Sequence, residues 1–329
     1  MRIQASQGAP FARLLSVAGE RGARTVDNAE MCTIIDSTDE WIQQRTGIVE
    51  RRWANDDQTA LSLALAAGRK AIERSGLQPA DIDALLVASV SHMRQFPSLA
   101  VEVAAGLGLT NPAATDLSAA CAGFCYGIAL ADGMVRAGSA KHVLIIGGEV
   151  LSRQIDFTDR STAFLFGDGA GAAVIGPSQT PAIGPVVWGS EPAAADVIWT
   201  EFWPDALAAG SRPVIHMEGN KVFRWAITYI ADKTAEALSA AGLAPEDLDV
   251  FIPHQANNRI TDSMLRRLGL PESVVVSRDI KTMGNSSAAS VPIAIEALLE
   301  SGEAKSGDTA LIVGFGSGLV YAGQVIVLP

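Results

Sequence analysis

The chain repeats itself once, at long range. Residues 76–86 read GLQPADIDALL and residues 242–252 read GLAPEDLDVFI, so Gly, Leu, Pro, Asp and Asp recur in step at an offset of 166. RAGSAK at 136–141 is echoed by ESGEAK at 300–305, at an offset of 164. The apolar runs that follow, HVLIIGG and TALIVGF, correspond at 167 after three inserted residues. One such match is a common helix-to-strand connector; three in step point to a duplication. A period of about half the chain is far too long for a solenoid repeat. In each copy a helix ends at Gly, a proline-acid turn follows, and a short buried strand comes next. The expected organisation is therefore two copies of one α/β unit.

Composition permits this. The 329 residues are 48% hydrophobic and 19% charged, enough to bury one large core or two fused ones. The opening MRIQASQGAPFARLL lacks the basic, apolar and small-residue succession of a secretory leader, and there are three cysteines. We expect reduced thiols in a cytoplasmic protein, with no disulfide framework. No apolar run approaches the roughly 20 residues that span a bilayer. A formal net charge of -11 opposes binding to nucleic acid or to an anionic membrane, so an anionic partner must meet a local basic patch.

Two cysteines stand in 116-DLSAACAGFCYGIAL-130. Carrying the 164 offset back from RAGSAK/ESGEAK aligns Cys121 with Asn285, each at the start of a small-residue helix, CAGFCYGIALADGMV and NSSAASVPIAIEALL. Packing of the halves about a pseudo-twofold axis brings two such helix starts to one site. There a cysteine meets unpaired N–H groups and the positive end of the helix dipole, which favour thiolate over thiol. Cys125 lies one turn further in and reads as a small buried hydrophobe, as does Cys32 in EMCTIIDSTDEWI. C-x-x-x-C without ligand-spaced histidines or carboxylates is no metal site. A thiolate nucleophile usually has a histidine partner, and the chain has four: His92, His142, His216 and His254. His254 follows the strand DVFIP and opens HQANNRI, where a loop can present it to a site. His142 precedes a buried strand and His92 sits in a loop, so both read as structural or surface residues.

Over essentially its whole length the sequence resembles the β-ketoacyl-acyl-carrier-protein synthases of type III, within the thiolase superfamily. The resemblance rests on DEWIQQRTGI at 39–48, DLSAACAGF around Cys121, DRSTAFLFGDGAGAAV at 159–174, EGNKVFRWA at 218–226, PHQANNRI at 253–260, GNSSAAS at 284–290 and GFGSG at 314–318. It implies a thiolase-like α/β fold of two pseudo-symmetric halves in five layers, with residues 1–177 carrying the nucleophile and 178–329 carrying His and Asn. It also implies a homodimer. Cys121 takes an acyl group from acyl-CoA; malonyl-acyl-carrier protein then loses CO₂, and the enolate attacks the acyl-Cys thioester. His254 and Asn285 match the pair that holds the enolate, and the backbone N–H groups of Cys121 and Ser317 match the oxyanion hole. Trp41, Arg45, Arg160, Asn220, Phe223 and Asn257 match CoA contacts, although Ser161 stands where glycine is frequent. Phe96 and Leu151 match the acyl pocket, Phe96 reaching across the dimer to close the partner's pocket against long chains. Acyl-CoA is a substrate and no cofactor or metal is implied. GDGAGA lacks the strand-GxGxxG-helix context of a dinucleotide site and reads as close backbone packing.

Arg224, Arg259, Arg266 and Arg267 lie near or beyond these motifs, the last three within one expected helix, HQANNRITDSMLRRLG. They form either a landing patch for an acidic carrier protein or a solvated helix face. Two other functions remain open. A relative that passes the acyl group to an alcohol or amine has less use for Asn285, and a non-catalytic subunit of a synthase complex has no use for Cys121, His254 and Asn285 together.

Overall fold

The computed structural model of the protein describes residues 3–329. Along the chain come β1 (Phe11–Arg21), β2 (Arg24–Asp27), α1 (Asn28–Ile34), α2 (Asp39–Thr46), β3 (Glu50–Trp53), α3 (Ala60–Ser75), β4 (Ala84–Ala88), α4 (Leu99–Leu107), β5 (Ala113–Leu117), α5 (Gly123–Ala137), β6 (Val143–Val150) and β7 (Asp168–Ser178). There follow β8 (Val187–Gly189), β9 (Ile198–Thr200), α6 (Trp203–Ala208), β10 (Ile215–Met217), α7 (Gly219–Trp225), α8 (Ala231–Ala240), β11 (Val250–Pro253), α9 (Asn258–Leu268), β12 (Val275–Val276), α10 (Ile280–Met283), α11 (Ser290–Ser301), β13 (Thr309–Gly316) and β14 (Val320–Val327).

The duplication is visible in the sheets. One has the order β1-β7-β6-β4-β5 and the other β8-β14-β13-β11-β12. In both, the first two pairings are antiparallel and the last two parallel. The repeated P-x-D-[IL]-D motif has one physical job in each copy. Its first aspartate closes the proline turn, Asp81 accepting from Gln78 N and Asp247 from Ala244 N, both at 2.8 Å. Its second pins the start of the neighbouring strand, Asp83 accepting from Lys141 N and Asp249 from Thr309 N, again at 2.8 Å. The apolar residue between them, Ile82 or Leu248, is buried.

Five layers result. α3 and α4 cover one face of the first sheet; α8 and α9 cover the outer face of the second. α5 and α11 lie between the sheets, sharing one core with strands of both. Central strands covered on both faces are apolar throughout rather than alternating, as β4 is, and as β6 is up to Glu149 near its end. GDGAGA lies in β7. A Cβ on Gly171 would stand 2.5 Å from Pro292 Cγ, so its glycines let α11 lie against the sheet. Small antiparallel ribbons, β2–β3 and β9–β10, flank the layers. No helix among the described residues is long and apolar enough to cross a membrane.

The offset of 164 does not hold at the helix starts. Each copy enters its central helix through one 3₁₀ turn, Ala120–Ala122 and Ser287–Ala289, with the helices proper beginning at Gly123 and Ser290. Both turns open on a non-glycine residue in the left-handed region, Ala120 at φ 44° and Ser287 at φ 49°. The local offset is thus 167, which makes Ala288 the counterpart of Cys121 and Ser118 that of Asn285. The missing residues come out of the helix itself: α5 has 15 and α11 has 12. Cys121 and Asn285 are brought together by the packing of the two turns against each other, not by symmetry equivalence.

Candidate active site

A cavity of about 920 Å³ opens where the halves meet, its wall including both turns, the end of β13, the start of β14 and the residues just beyond β4, β5 and β6. Cys121 lies on its floor, in the 3₁₀ turn between β5 and α5. The end of β13 presses on it: a Cβ on Gly316 would stand 2.9 Å from both Cys121 Cβ and Sγ. Gly316 has an extended backbone, φ -176°, so close approach is what requires glycine here. Enclosure pushes the Cys121 thiol up to about 12, only partly offset by the Ser287 hydroxyl. The expected dipole-stabilised thiolate is therefore not the resting state. Cys121 precedes the first true turn of α5, and the loss of hydration outweighs the N–H groups there.

His254 stands directly after β11, its N–H donating to Val313 O at 2.7 Å and so extending the ladder by one residue. The ring is enclosed and meets Phe315 edge-on at 5.3 Å. Nδ1 is 2.7 Å from Ser290 Oγ, and burial depresses the imidazole to about 3. The ring is neutral across the physiological range, and Nε2 remains for a ligand. Asn285 Oδ1 accepts from Ser287 N at 2.9 Å, which orients the amide and leaves Nδ2 as its donor. Cys121, His254 and Asn285 all line the cavity, as do Leu151 and Ser317. Ser317 donates its hydroxyl to Ile198 O at 2.6 Å, tying the loop after β13 to β9.

The mouth carries cations and aromatic rings. Trp41 on α2 packs edge-on against Phe164, and the guanidiniums of Arg45 and Arg160 lie 5.4 and 5.2 Å from its ring. Arg160 itself does not line the cavity but stands beside it, 3.8 Å from Asp36. Asn220 and Phe223 of α7 form the opposite lip, with Arg259 over the Phe223 ring at 5.1 Å. Asn257 is largely engaged already: Oδ1 caps α9 through Arg259 N at 2.8 Å, and Nδ2 donates to Arg45 O at 3.0 Å. Ser161 lines the mouth, its hydroxyl bound to Asp159 at 2.6 Å.

The other expected residues lie apart. Phe96, between β4 and α4, is 82% exposed and does not line its own chain's cavity. Arg224 and Arg266 are exposed; Arg267 is not free, since its Nε and Nη2 donate to Asp232 at 2.6 and 2.8 Å. Cys125 and Cys32 pack in apolar clusters. His142 is anchored by Asp81 O at 3.0 Å and His92 faces Glu102 at 3.0 Å. His216 pairs with Glu201 at 2.5 Å and stacks on Trp199, locking the β9–β10 ribbon that walls the cavity. Sequence reasoning missed that ribbon, which lies outside the internal repeat. It also missed Gly316, whose signal was in GFGSG, and Ser287, whose signal was the correct offset. Among the described residues no group of His, Cys, Asp and Glu is arranged to hold a metal.

Two family profiles match the chain: 3-oxoacyl-[acyl-carrier-protein] synthase III over residues 115–192, and the C-terminal part of the same synthase over 238–328. The chain is similar to a β-ketoacyl-[acyl-carrier-protein] synthase III of Streptomyces glaucescens, at 54% identity covering 100% of this chain and 99% of the other. It is similar to a mycobacterial β-ketoacyl-[acyl-carrier-protein] synthase III of Mycobacterium avium, at 46% with the same coverage. Among solved structures, the priming β-ketosynthase of the R1128 polyketide biosynthetic pathway superimposes with TM-score 0.97 at 45% identity, covering 100% and 99% of the two chains. The 3-oxoacyl-[acyl-carrier-protein] synthase III of Aquifex aeolicus gives 0.89 at 34%, covering 96% and 99%.

Proposed function

The chain belongs to the 3-oxoacyl-[acyl-carrier-protein] synthase III family, and from that premise we propose that Cys121, His254 and Asn285 carry out its reaction. The enzyme is an acyltransferase that condenses an acyl-CoA primer with malonyl-acyl-carrier protein, with loss of CO₂, to begin a fatty acid or polyketide chain. The observation that carries the residue assignment is the convergence of these three side chains from two halves on one cavity, with the histidine held neutral.

Cys121 attacks the primer thioester and keeps the acyl group while CoA leaves. The oxyanion of that step falls to the backbone N–H groups of Cys121 and Ser317, a reading supported by the close approach of Gly316. Decarboxylation of the malonyl thioester puts charge on its carbonyl oxygen. Asn285 Nδ2 and His254 Nε2 donate to it, the latter carrying hydrogen when Ser290 donates to Nδ1. A neutral imidazole serves better than a cation here, because it gives a hydrogen bond without transferring the proton and quenching the carbanion.

Trp41 with its two guanidiniums suits an aromatic base bearing phosphates, a local positive feature of the kind an acidic chain needs for CoA. Asn220, Phe223 and Asn257 line the same cavity as Cys121, and so does Leu151. Acyl-CoA enters as a substrate, and this reading calls for no cofactor. We take residues 1–177 and 178–329 as the halves, a division that falls one residue before the end of β7. The protein acts as a homodimer in the cytoplasm in this reading, with exposed Phe96 entering the partner's acyl pocket and favouring short primers. Phe96→Thr then extends acceptance to longer chains.

Peptide mapping after treatment with acetyl-CoA should find the adduct on Cys121. An adduct on Cys125, or full activity in Cys121→Ala, sinks the assignment. Asn285→Ala should still become acylated while condensation falls by about 10²–10³; normal condensation with malonyl-carrier protein removes Asn285 from the enolate site.

A further inference from the structure

Of the buried acids that this mechanism leaves unused, Glu149 stands nearest the nucleophile's turn. It is the penultimate residue of β6 and is fully enclosed. Its carboxylate gathers Ser91 Oγ at 2.6 Å, Ser91 N and Val90 N at 3.1 Å, and Ser89 Oγ at 3.3 Å. Beside it is Ser287, whose Oγ is buried and closes no hydrogen bond of its own. The turn that carries Ser287 packs against both the Cys121 turn and β6, Ser287 and Cys121 line the same cavity, and the hydroxyl favours the anionic form of both the Cys121 thiol and the Glu149 carboxyl. Ser287 is also the residue held at φ 49°, a conformation that costs energy in a side-chain-bearing residue and directs where its hydroxyl goes. The site thus contains a nucleophile that rests protonated, an unpartnered hydroxyl next to it, and a buried carboxylate behind that hydroxyl.

We infer that Ser287 and Glu149 form a relay that takes the Cys121 proton during acylation and returns it after condensation. The inference rests on Cys121 being the acyl carrier. As Sγ attacks the primer carbonyl, its proton passes to Ser287 Oγ and the hydroxyl's own proton passes to Glu149. The new C–S bond forms, the bond to CoA sulfur breaks, and the CoA thiolate takes a proton from solvent. When the enolate attacks the acyl-Cys carbonyl, Sγ leaves as thiolate and is reprotonated by Glu149 through Ser287. One solvent proton is consumed per cycle, matching the loss of the malonyl carboxylate as CO₂. Neutral His254, depressed by burial, is left free for the enolate.

The carboxyl is suited to this part-time role, since burial raises it to about 7, close to the pH at which it must both accept and give. Its surroundings add little charge. Ser89, Ser91 and Ser287 are uncharged, Cys121 is the titratable group that faces it among the described residues, and the nearby Asp168 on β7 is turned to Ala54 N and Ser152.

The test is the pH dependence of Cys121 reactivity in the wild type, Ser287→Ala and Glu149→Gln, read as single-turnover acylation by acetyl-CoA and as alkylation by iodoacetamide. Wild-type acylation should rise with pH and level off above about 7. In both variants it should fall about tenfold or more at pH 7 and keep climbing with pH past 9, with no plateau. A variant that is slowed but retains the wild-type plateau shows a merely structural role and overturns the relay, as does a wild-type rate in either variant. Should Glu149→Gln fail to fold, Ser287→Ala decides, because it removes one hydroxyl that closes no bond. Alkylation of wild-type Cys121 without any acylation would overturn the nucleophile assignment instead.

Discussion

Burial raises the thiols of Cys121 and Cys125 alike, each to about 12, so reactivity is decided by what each sulfur faces. Cys125 Sγ looks into the core beside Gly314; Cys121 Sγ looks into a cavity beside Gly316. Gly316 is the sharpest single-residue constraint on that arrangement. In Gly316→Ala the new methyl would overlap Cys121 at 2.9 Å with an enclosed side chain and backbone as neighbours, so the cysteine must move. Misplacement of a nucleophile by a fraction of an ångström is expensive, and the expected result is acylation slowed by about tenfold or more with a folded protein by circular dichroism. Acylation at the wild-type rate would show that Gly316 does not set the position of Sγ.

The helix after His254 separates three arginines that looked equivalent in sequence. α9 begins at Asn258 because Asn257 caps it, and Arg259 in its first turn covers Phe223 at the cavity's lip. Arg267 in the last turn is held by Asp232, and Arg266 is exposed, with Ser263 at 3.0 Å as its side-chain partner among the described residues. An exposed ion pair such as Arg267–Asp232 contributes little stability, but it lowers the charge offered to a partner. Arg266→Glu should therefore raise KM for malonyl-carrier protein, more at low salt than at high, and leave KM for acyl-CoA unchanged. Arg259→Glu should raise both, because that side chain belongs to the mouth. Equal effects of Arg266→Glu on both substrates would remove α9 from carrier-protein docking.

Across the whole molecule, buried titratable groups set a characteristic pH window. His254 drops from an ordinary 6.5 to about 3, so below 6.5 the unfolded chain takes a proton that the native one refuses, and stability is lost as pH falls. Glu149 rises from 4.5 to about 7, so the native chain holds the extra proton over that range and stability is lost as pH rises. Each slope is about 1.4 kcal/mol per pH unit, and between about 4.5 and 6.5 they cancel. The wild type should be nearly flat there as far as these two are concerned, fall below about 4.5 through His254, and fall above about 9 through the two raised thiols. Urea unfolding across this range checks it, and Glu149→Gln should uncover a slope rising with pH between about 4.5 and 6.5. Absence of that slope would mean that His254 is not held neutral in the folded protein.

The duplicated unit, the helix-to-strand turns and the buried central strands were all legible in the sequence, because each depends on local chemistry: an aspartate closing a proline turn, a glycine ending a helix, an unbroken apolar run. Cys121, His254 and Asn285 were legible as residue types in distinctive surroundings and through the family resemblance, and so were the aromatic and basic residues of the mouth. Their geometric relation was not. One deletion of three residues inside α11 shifted the apparent alignment, and only the sheets and the two 3₁₀ turns show that Cys121 answers to Ala288. The protonation of the site was misread for a similar reason: the helix dipole is local and visible in sequence, whereas desolvation depends on everything packed around the sulfur. Gly316, Ser287 and Glu149 come to Cys121 from three separate segments of the chain, so their proximity exists only once both halves have folded and docked.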